Sequence, residues 1–270
     1  SGNSTHVGTI HYVTIASAGN TTDFGDLTDT TGGGTGKKAH AGMSSATRGL
    51  FAGGLYSTTY QNIIDYITIA STGNATDFGD LTLARGYVAG LSSSTRGVVG
   101  GGNVTGDTYQ NVIDYVTIAS TGDAADFGDL SVARAILVAG GAGQASVQNE
   151  SYFAPAAMGL FAGGGDGSGS FNVQTTIMYV NIATDGESGM FGDLLEKVSS
   201  ASIGTAASST RGIVRQGGYD GSGYTNNIEF VTFASKSKAT DFGDMTVTNS
   251  RGATLSNSTR GIFAGGQNDK

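Results

Sequence analysis

The sequence predicts an all-β chain folded as a five-bladed β-propeller of four-stranded antiparallel blades, and three recurring features carry that expectation. The first is a punctuation that appears five times, as Asp23-Phe24-Gly25-Asp26, Asp77-Phe78-Gly79-Asp80, Asp126-Phe127-Gly128-Asp129, Met190-Phe191-Gly192-Asp193 and Asp241-Phe242-Gly243-Asp244. Its phenylalanines stand 54, 49, 64 and 51 residues apart, a period that suits one propeller blade per copy. The second is a strand rich in Ile, Val, Thr and aromatics, and the third is a short apolar run that closes on a glycine pair. A repeat of this size has no core of its own, so residues 1–270 are expected as a single domain.

The strand opens at 9–16 (TIHYVTIA) and returns at 64–70 (IDYITIA), 113–119 (IDYVTIA), 178–183 (MYVNIA) and 228–234 (IEFVTFA). Such residues fit a pleated surface. Tyr66, Ile67 and Ile69 occupy both faces, as in a strand buried on both sides between stacked sheets. A turn such as Ser71-Thr72-Gly73-Asn74 leads to the punctuation, and a segment such as 83–90 follows it. A polar turn, Ser92-Ser93-Ser94-Thr95, then precedes the glycine-pair strand, found at 49–54, 97–102, 159–164, 212–218 and 261–266. Four short strands per period place the blades at about 31–80, 81–129, 130–193, 194–244, and 245–270 joined with 1–26. The chain ends on the glycine-pair strand and begins with the strand that should follow it. Pairing of 261–266 with 9–16 is therefore expected to close the ring and remove an open edge.

Composition narrows the function. Charged residues are 13% and hydrophobic residues 38%, too little charge for a disordered chain. The 46 glycines follow no three-residue period, which excludes collagen. The net charge is −8, but nine of the 22 acids are punctuation positions, so much of the acidity belongs to the repeat. A nucleic-acid partner, which needs a basic footprint, is not expected. There is no cysteine and no apolar run of membrane-spanning length, so neither disulfides nor membrane insertion is expected. The opening Ser1-Gly2-Asn3-Ser4-Thr5 reads as the start of a cut piece.

The glycine pair, the aromatic of the next strand (Tyr66, Tyr115, Tyr179, Phe230 and Tyr12) and the aromatic before the Leu resemble kelch repeats. So do Arg85 and Arg134, each seven residues after its phenylalanine. The usual kelch tryptophan is Phe in all five copies. The wording Asp-Tyr-Val-Thr-Ile-Ala-Ser, Asp-Phe-Gly-Asp-Leu and Ser-Ser-Thr-Arg-Gly also resembles kelch-like segments of large virion and tail proteins of marine bacteriophages. That resemblance implies an extracellular or virion location and an attachment or structural duty. The implied partner is a cell-surface glycan or a neighbouring virion structural protein.

A kinase uses Asp-Phe-Gly once, with a nucleotide loop; five periodic copies point to packing and turn-making instead. Arg48, Arg96, Arg211 and Arg260 precede the glycine-pair strand, with Met158 in the third blade. They read either as a ring for an anionic ligand or as struts, each paired with a punctuation Asp between blades. The same choice holds for Arg85, Arg134 and Arg251. Asp166-Gly167-Ser168-Gly169 and Asp220-Gly221-Ser222-Gly223 supply too few ligands for a calcium loop. His6, His11 and His40 have no metal-ligand spacing, and no catalytic residue, metal or cofactor is expected.

The third blade carries an insertion at 141–157, with Gln144, Gln148, Asn149, Glu150, Tyr152, Phe153 and the only proline, Pro155. Amides and aromatics suit sugar recognition, and repeat insertions map to loops. A second aromatic surface is expected from Tyr56, Tyr60, Tyr109, Tyr219 and Tyr224. The alternative function is a glycan-degrading enzyme with its site in the central channel, for which the non-repeated acids Glu150, Glu187 and Glu196 are the candidates.

Overall fold

The computed structural model describes residues 7–14, 16–28, 36–106, 108–135, 138–141, 158–166, 173–197, 204–208, 210–215, 225–248, 253–256 and 259–264. Within them the chain is all β, without a helix. No helix among the described residues is long and apolar enough to cross a membrane.

Strands β1 (Thr9–Tyr12) and β2 (Thr22–Asp26) form a two-stranded pair. Sheet I follows, built from β3 (Ala41–Ser44), β4 (Arg48–Ala52), β7 (Ile63–Thr68) and β8 (Thr76–Asp80), with β5 (Leu55–Tyr56) and β6 (Thr59–Tyr60) as a small hairpin between β4 and β7. Sheet II repeats the plan with β9 (Ala89–Ser92), β10 (Arg96–Gly100), β13 (Val112–Thr117) and β14 (Ala125–Asp129), and its hairpin is β11 (Asn103–Val104) and β12 (Thr108–Tyr109). Sheet III is β15 (Val138–Gly141), β16 (Met158–Ala162), β17 (Thr176–Asn181) and β18 (Gly189–Asp193). Sheet IV is β19 (Gly204–Ala207), β20 (Arg211–Arg215), β21 (Asn227–Thr232) and β22 (Thr240–Asp244). A second two-stranded pair, β23 (Ala253–Ser256) and β24 (Gly261–Ala264), ends the series. Every sheet is antiparallel and meanders in chain order, and the first strands of successive sheets, β3, β9, β15, β19 and β23, touch in succession.

The punctuation is a β-bulge. In sheet I, Ile64 faces Gly79 while Asp65 faces Asp77, which leaves Phe78 as the extra residue; the same shift occurs in sheets II, III and IV and in the β1–β2 pair. A bulge bends the strand and re-aims its side chains. Here it drives the phenylalanine inward: Phe78, Phe127 and Phe191 are buried. The glycine after it takes φ of 143° at Gly79 and 139° at Gly128, a region that side-chain-bearing residues avoid. The preceding Asp holds the bulge closed, accepting the N–H of Gly79 at Asp77 Oδ1 (3.0 Å) and that of Gly128 at Asp126 Oδ1 (3.0 Å).

Adjacent sheets interlock through main chain as well as side chains. Gly122 and Ala124, beyond β13, donate to the carbonyls of Phe78 and Asp80 (both 2.7 Å), and Gly186 and Ser188 donate likewise to Phe127 and Asp129 (2.7 and 2.9 Å). A Cβ on Gly79 would collide with the Gly122 carbonyl, so glycine is required by contact as well as by conformation. Three cores lie between successive sheets, and consecutive residues of one strand serve different ones. Val99 joins Leu50 and Phe78 between sheets I and II, while Val98 joins Phe161 and Val180 between sheets II and III. That division explains a strand with apolar residues on both faces.

Candidate functional site

The residue just after each bulge points into the sheet-to-sheet interface, and it forms a buried station that varies from sheet to sheet. Sheet I holds Asp65, sheet II Asp114, sheet III Met178 and sheet IV Glu229, none more than 1% exposed. In sheet II the station is a complete ion pair. Arg85 Nη2 lies 2.8 Å from Asp114 Oδ2, and its Nη1 donates to the carbonyls of Gly101 (2.8 Å) and Val112 (2.5 Å). Thr82 Oγ1 donates to the other carboxylate oxygen at 2.6 Å. Sheet I uses Lys37 and Thr28 on Asp65 in the same way.

Sheets III and IV vary this arrangement. Arg134, 1% exposed, still donates to the carbonyls of Gly163 (3.1 Å) and Thr176 (3.2 Å), but Met178 stands where the acid would be, 3.1 Å from Ser131 Oγ. Glu229 accepts the Leu195 N–H at 2.8 Å, and burial pushes its carboxyl up to about 7 against the pull of the Leu195 and Glu196 amides. Burial likewise lowers Lys37, opposed by Asp65, and takes His40, which packs edge-on to Phe51, down to about 4.

A second layer runs along the start of the glycine-pair strands. Arg48 lies over the Tyr66 ring (4.7 Å to the centroid), Arg96 over Tyr115 (4.3 Å) and Arg211 over Phe230 (4.5 Å). Those rings in turn meet Phe78, Phe127 and Phe242 edge to face. Where sheet III has Met158, the cation comes from the neighbouring sheet: Lys236 Nζ sits 3.8 Å from the Tyr179 centroid. Arg48 Nη1 reaches the Ile118 carbonyl of sheet II (2.9 Å), and Arg96 Nη1 reaches Asp185 of sheet III (2.6 Å).

The expectation that the arginines pair with punctuation carboxylates is corrected by these partners. Arg96 takes Asp185, from the turn after β17, and Arg85 takes Asp114, from within β13. The punctuation Asp77 and Asp126 are occupied by their own bulges instead. Arg260 is exposed ahead of β24, and Arg251 lies outside the described residues.

Loops after the glycine pairs rise from a common footing, in which the segment entering each sheet bridges to the residue beyond the pair: Lys38 to Leu55, Gly86 to Asn103 and Ala135 to Gly165. On it stand β5–β6 with Tyr60 and β11–β12 with Tyr109, both half-buried, whereas Tyr56 is buried and donates to the Thr28 carbonyl. Asp166 accepts from Gln174 Nε2 at 2.7 Å. Gln144, Gln148, Asn149, Glu150, Tyr152 and Phe153 of the insertion, together with Tyr219 and Tyr224, lie outside the described residues. Among the described residues no group of three or more His, Asp and Glu stands where it could hold a metal ion. Sequence reasoning missed Lys37, Asp65, Asp114 and Glu229. The three acids had a signal, one polar position recurring inside an otherwise apolar strand, and Lys37 had none.

No family model matches the chain, and no curated protein matches it.

Proposed function

We propose that the chain is a five-bladed, kelch-like propeller that serves as a non-catalytic binding or structural module of a phage virion or tail, or of a similar extracellular assembly. Its ligand on this reading is a cell-surface glycan or a neighbouring structural protein. The observation that carries the reading is a contrast: interlocks and buried stations repeat from sheet to sheet, while the residues beyond the glycine pairs vary in sequence, from LYSTTYQN and NVTGDTYQN in sheets I and II to GDGSGSFNVQ and YDGSGYTNN in sheets III and IV. Rigid sheets hold unequal loops at fixed separations, so several weak contacts add. An array of copies on a particle would raise such affinities by about 10²–10⁴.

Closure of the ring is part of the proposal, and residues at the two ends support it. Phe242 is 54% exposed and Ile69 44%, whereas their counterparts Phe78 and Ile118 are 3% and 1% exposed. Phe78 is covered by Val116 of the next sheet, and Val13, which holds the equivalent position for Phe242, is itself 51% exposed. The register of β4 on β7, carried onto β24 and β1, sets Gly261 opposite Val13 and lays Arg260 over Tyr12. Such closure turns separate end sheets into a fifth blade.

A glycan-degrading enzyme needs paired carboxylates open to substrate, one of them held protonated. Glu229 has the raised affinity for a proton, yet it is buried between sheets. Binding is therefore the better reading. The test is a panel of bacterial polysaccharides and glycans, probed with the whole chain and with a variant shortened across 141–157. Saturable binding lost in the variant is the expected result. A folded sample that binds nothing sinks the glycan reading and leaves the structural role.

A further inference from the structure

Gln61, Gln110 and Gln174 hold the same place in three successive sheets, each four residues ahead of the buried station at Asp65, Asp114 or Met178. Main chain fixes all three alike: their N–H groups donate to the carbonyls of Gly54 (2.9 Å), Gly102 (2.8 Å) and Gly164 (3.0 Å), the second glycine of each pair. The side chains are then tied by their nitrogens. Gln61 Nε2 donates to the Thr59 carbonyl and Gln110 Nε2 to the Thr108 carbonyl, both at 3.1 Å, while Gln174 Nε2 donates to Asp166 Oδ2 at 2.7 Å. Each partner is an acceptor only, so the nitrogen must be the near end of the amide and the oxygen is oriented with it. None of the three Oε1 atoms accepts a bond from the described residues, and all three glutamines are half-buried.

An apolar surface stands beside the first two. The connection 81–85 is fastened to this main chain at both ends, Leu81 N–H to the Asn62 carbonyl (2.7 Å) and Arg85 N–H to the Gln61 carbonyl (3.1 Å), and 130–134 is fastened to Asn111 and Gln110 in the same way (2.7 and 2.9 Å). At the middle of each connection an aliphatic side chain meets solvent: Leu83 is 36% exposed and Val132 44%. Neither belongs to a core. We propose that the three glutamine oxygens form a row of acceptor seats for a neutral linear glycan lying across sheets I to III, with Leu83 and Val132 against the apolar faces of its rings. The inference rests on the glycan reading and adds a site to it. The insertion at 141–157 leaves sheet III at the Gly141–Gly159 end, away from the glycine pair, so the two sites are separate.

The chemistry of the seats selects the ligand. An amide oxygen accepts and carries no charge, so the partner must bring uncharged donors, and hydroxyl groups on a body with apolar faces are what a sugar ring offers. Asp166 beside the third seat and a net charge of −8 disfavour an acidic polymer. A peptide added as a strand needs a longer edge than the two-residue strands β6 and β12 present. One seat per sheet suits a chain that repeats its own hydroxyls. Each neutral hydrogen bond contributes little, so a single seat is weak and the row gains by linkage.

The test is NMR of the whole chain, isotope-labelled at glutamine. Seven side-chain amides then report, three from the row and four from elsewhere, among them Gln144 and Gln148 of the insertion. Maltoheptaose, laminarihexaose and mannohexaose are the neutral probes, oligogalacturonate is the acidic one and glucose is the single unit. The expected result is that Gln61, Gln110 and Gln174 shift together with at least one neutral chain and saturate at one concentration, with glucose and oligogalacturonate weaker by about tenfold or more. Gln61→Met and Gln110→Met should each weaken that binding about fivefold. Shifts confined to Gln144 and Gln148 overturn the row and leave the glycan reading standing. Glucose bound as tightly as a chain overturns it as well. No shift with any probe also overturns the row, while the wider polysaccharide panel still decides the glycan reading. Hydrogen exchange of the Gln110 amide, which donates to Gly102, guards against damage to the hairpin. If the Met variants lose binding only together with protection there, the glutamines are structural pins and the row falls.

Discussion

Sheets II and III share a plan and differ at one buried point. Sheet II joins Arg85 to Asp114, while sheet III keeps Arg134 and replaces the acid with Met178. Arg134 survives because its carbonyl contacts do not depend on the acid: Gly163 and Thr176 receive it as Gly101 and Val112 receive Arg85. The difference teaches that the arginine's first duty is to tie the glycine pair to the next strand. The ion pair is an addition to that duty. In sheet IV the acid is held by main-chain amides.

Breaking the pair in sheet II gives the largest expected effect. Asp114→Ala leaves Arg85 charged in an apolar interface and should cost about 3–5 kcal/mol in a urea melt, whereas Arg85→Met with Asp114→Met should recover most of that loss, about 2 kcal/mol or more. A double variant as unstable as the single one would show that the carbonyl contacts of Arg85, and not its unpaired charge, account for the loss.

The acid of sheet IV sharpens the same contrast through pH. Its folded-state carboxyl is raised above the ordinary value of 4.5 to about 7, so the folded state binds the extra proton in that window. Stability from this group is full below about pH 4.5 and falls as pH rises towards 7, by roughly 3 kcal/mol at most. Glu229→Gln should flatten that slope; an unchanged slope would mean that another group is titrating.

The smallest effect belongs to the outer cation layer. Arg48→Gln removes a stack on Tyr66 and a bond to the Ile118 carbonyl, and should cost about 1 kcal/mol. Arg96→Gln should cost a similar amount, more of it sensitive to salt because its partner Asp185 is half-exposed.

Much of the fold was legible because the repeat announces it. Phe78, Gly79 and Asp77 stand together in the sequence for the same reason that they meet in the bulge: an inward ring, a positive φ and a carboxylate within reach of the next amide. The buried stations were harder to see. Asp65 and Asp114 sit in Ile-Asp-Tyr runs whose alternation does not reveal that a bulge will turn the acid inward. Arg85 stands out, but its partner is 29 residues away rather than in the nearer punctuation. Lys37 was hidden because the approach to sheet I is longer than its counterparts and offers no match to Ala84-Arg85. The proposal of Gln148 and Tyr152 as recognition residues rests on composition alone, since a loop that occurs once has no sibling copy to compare.

The hydrogen bonds from Gly122 and Ala124 to Phe78 and Asp80 join peptide group to peptide group. Beyond the glycine that the close approach at Gly79 requires, a joint of that kind does not ask which side chains its members carry, so neighbouring units need not have evolved as matched partners. A copy duplicated from elsewhere in the chain would arrive with its fittings already cut. Growth or exchange by whole units is thus open to such a protein, and each new copy is free at once to drift in its loops.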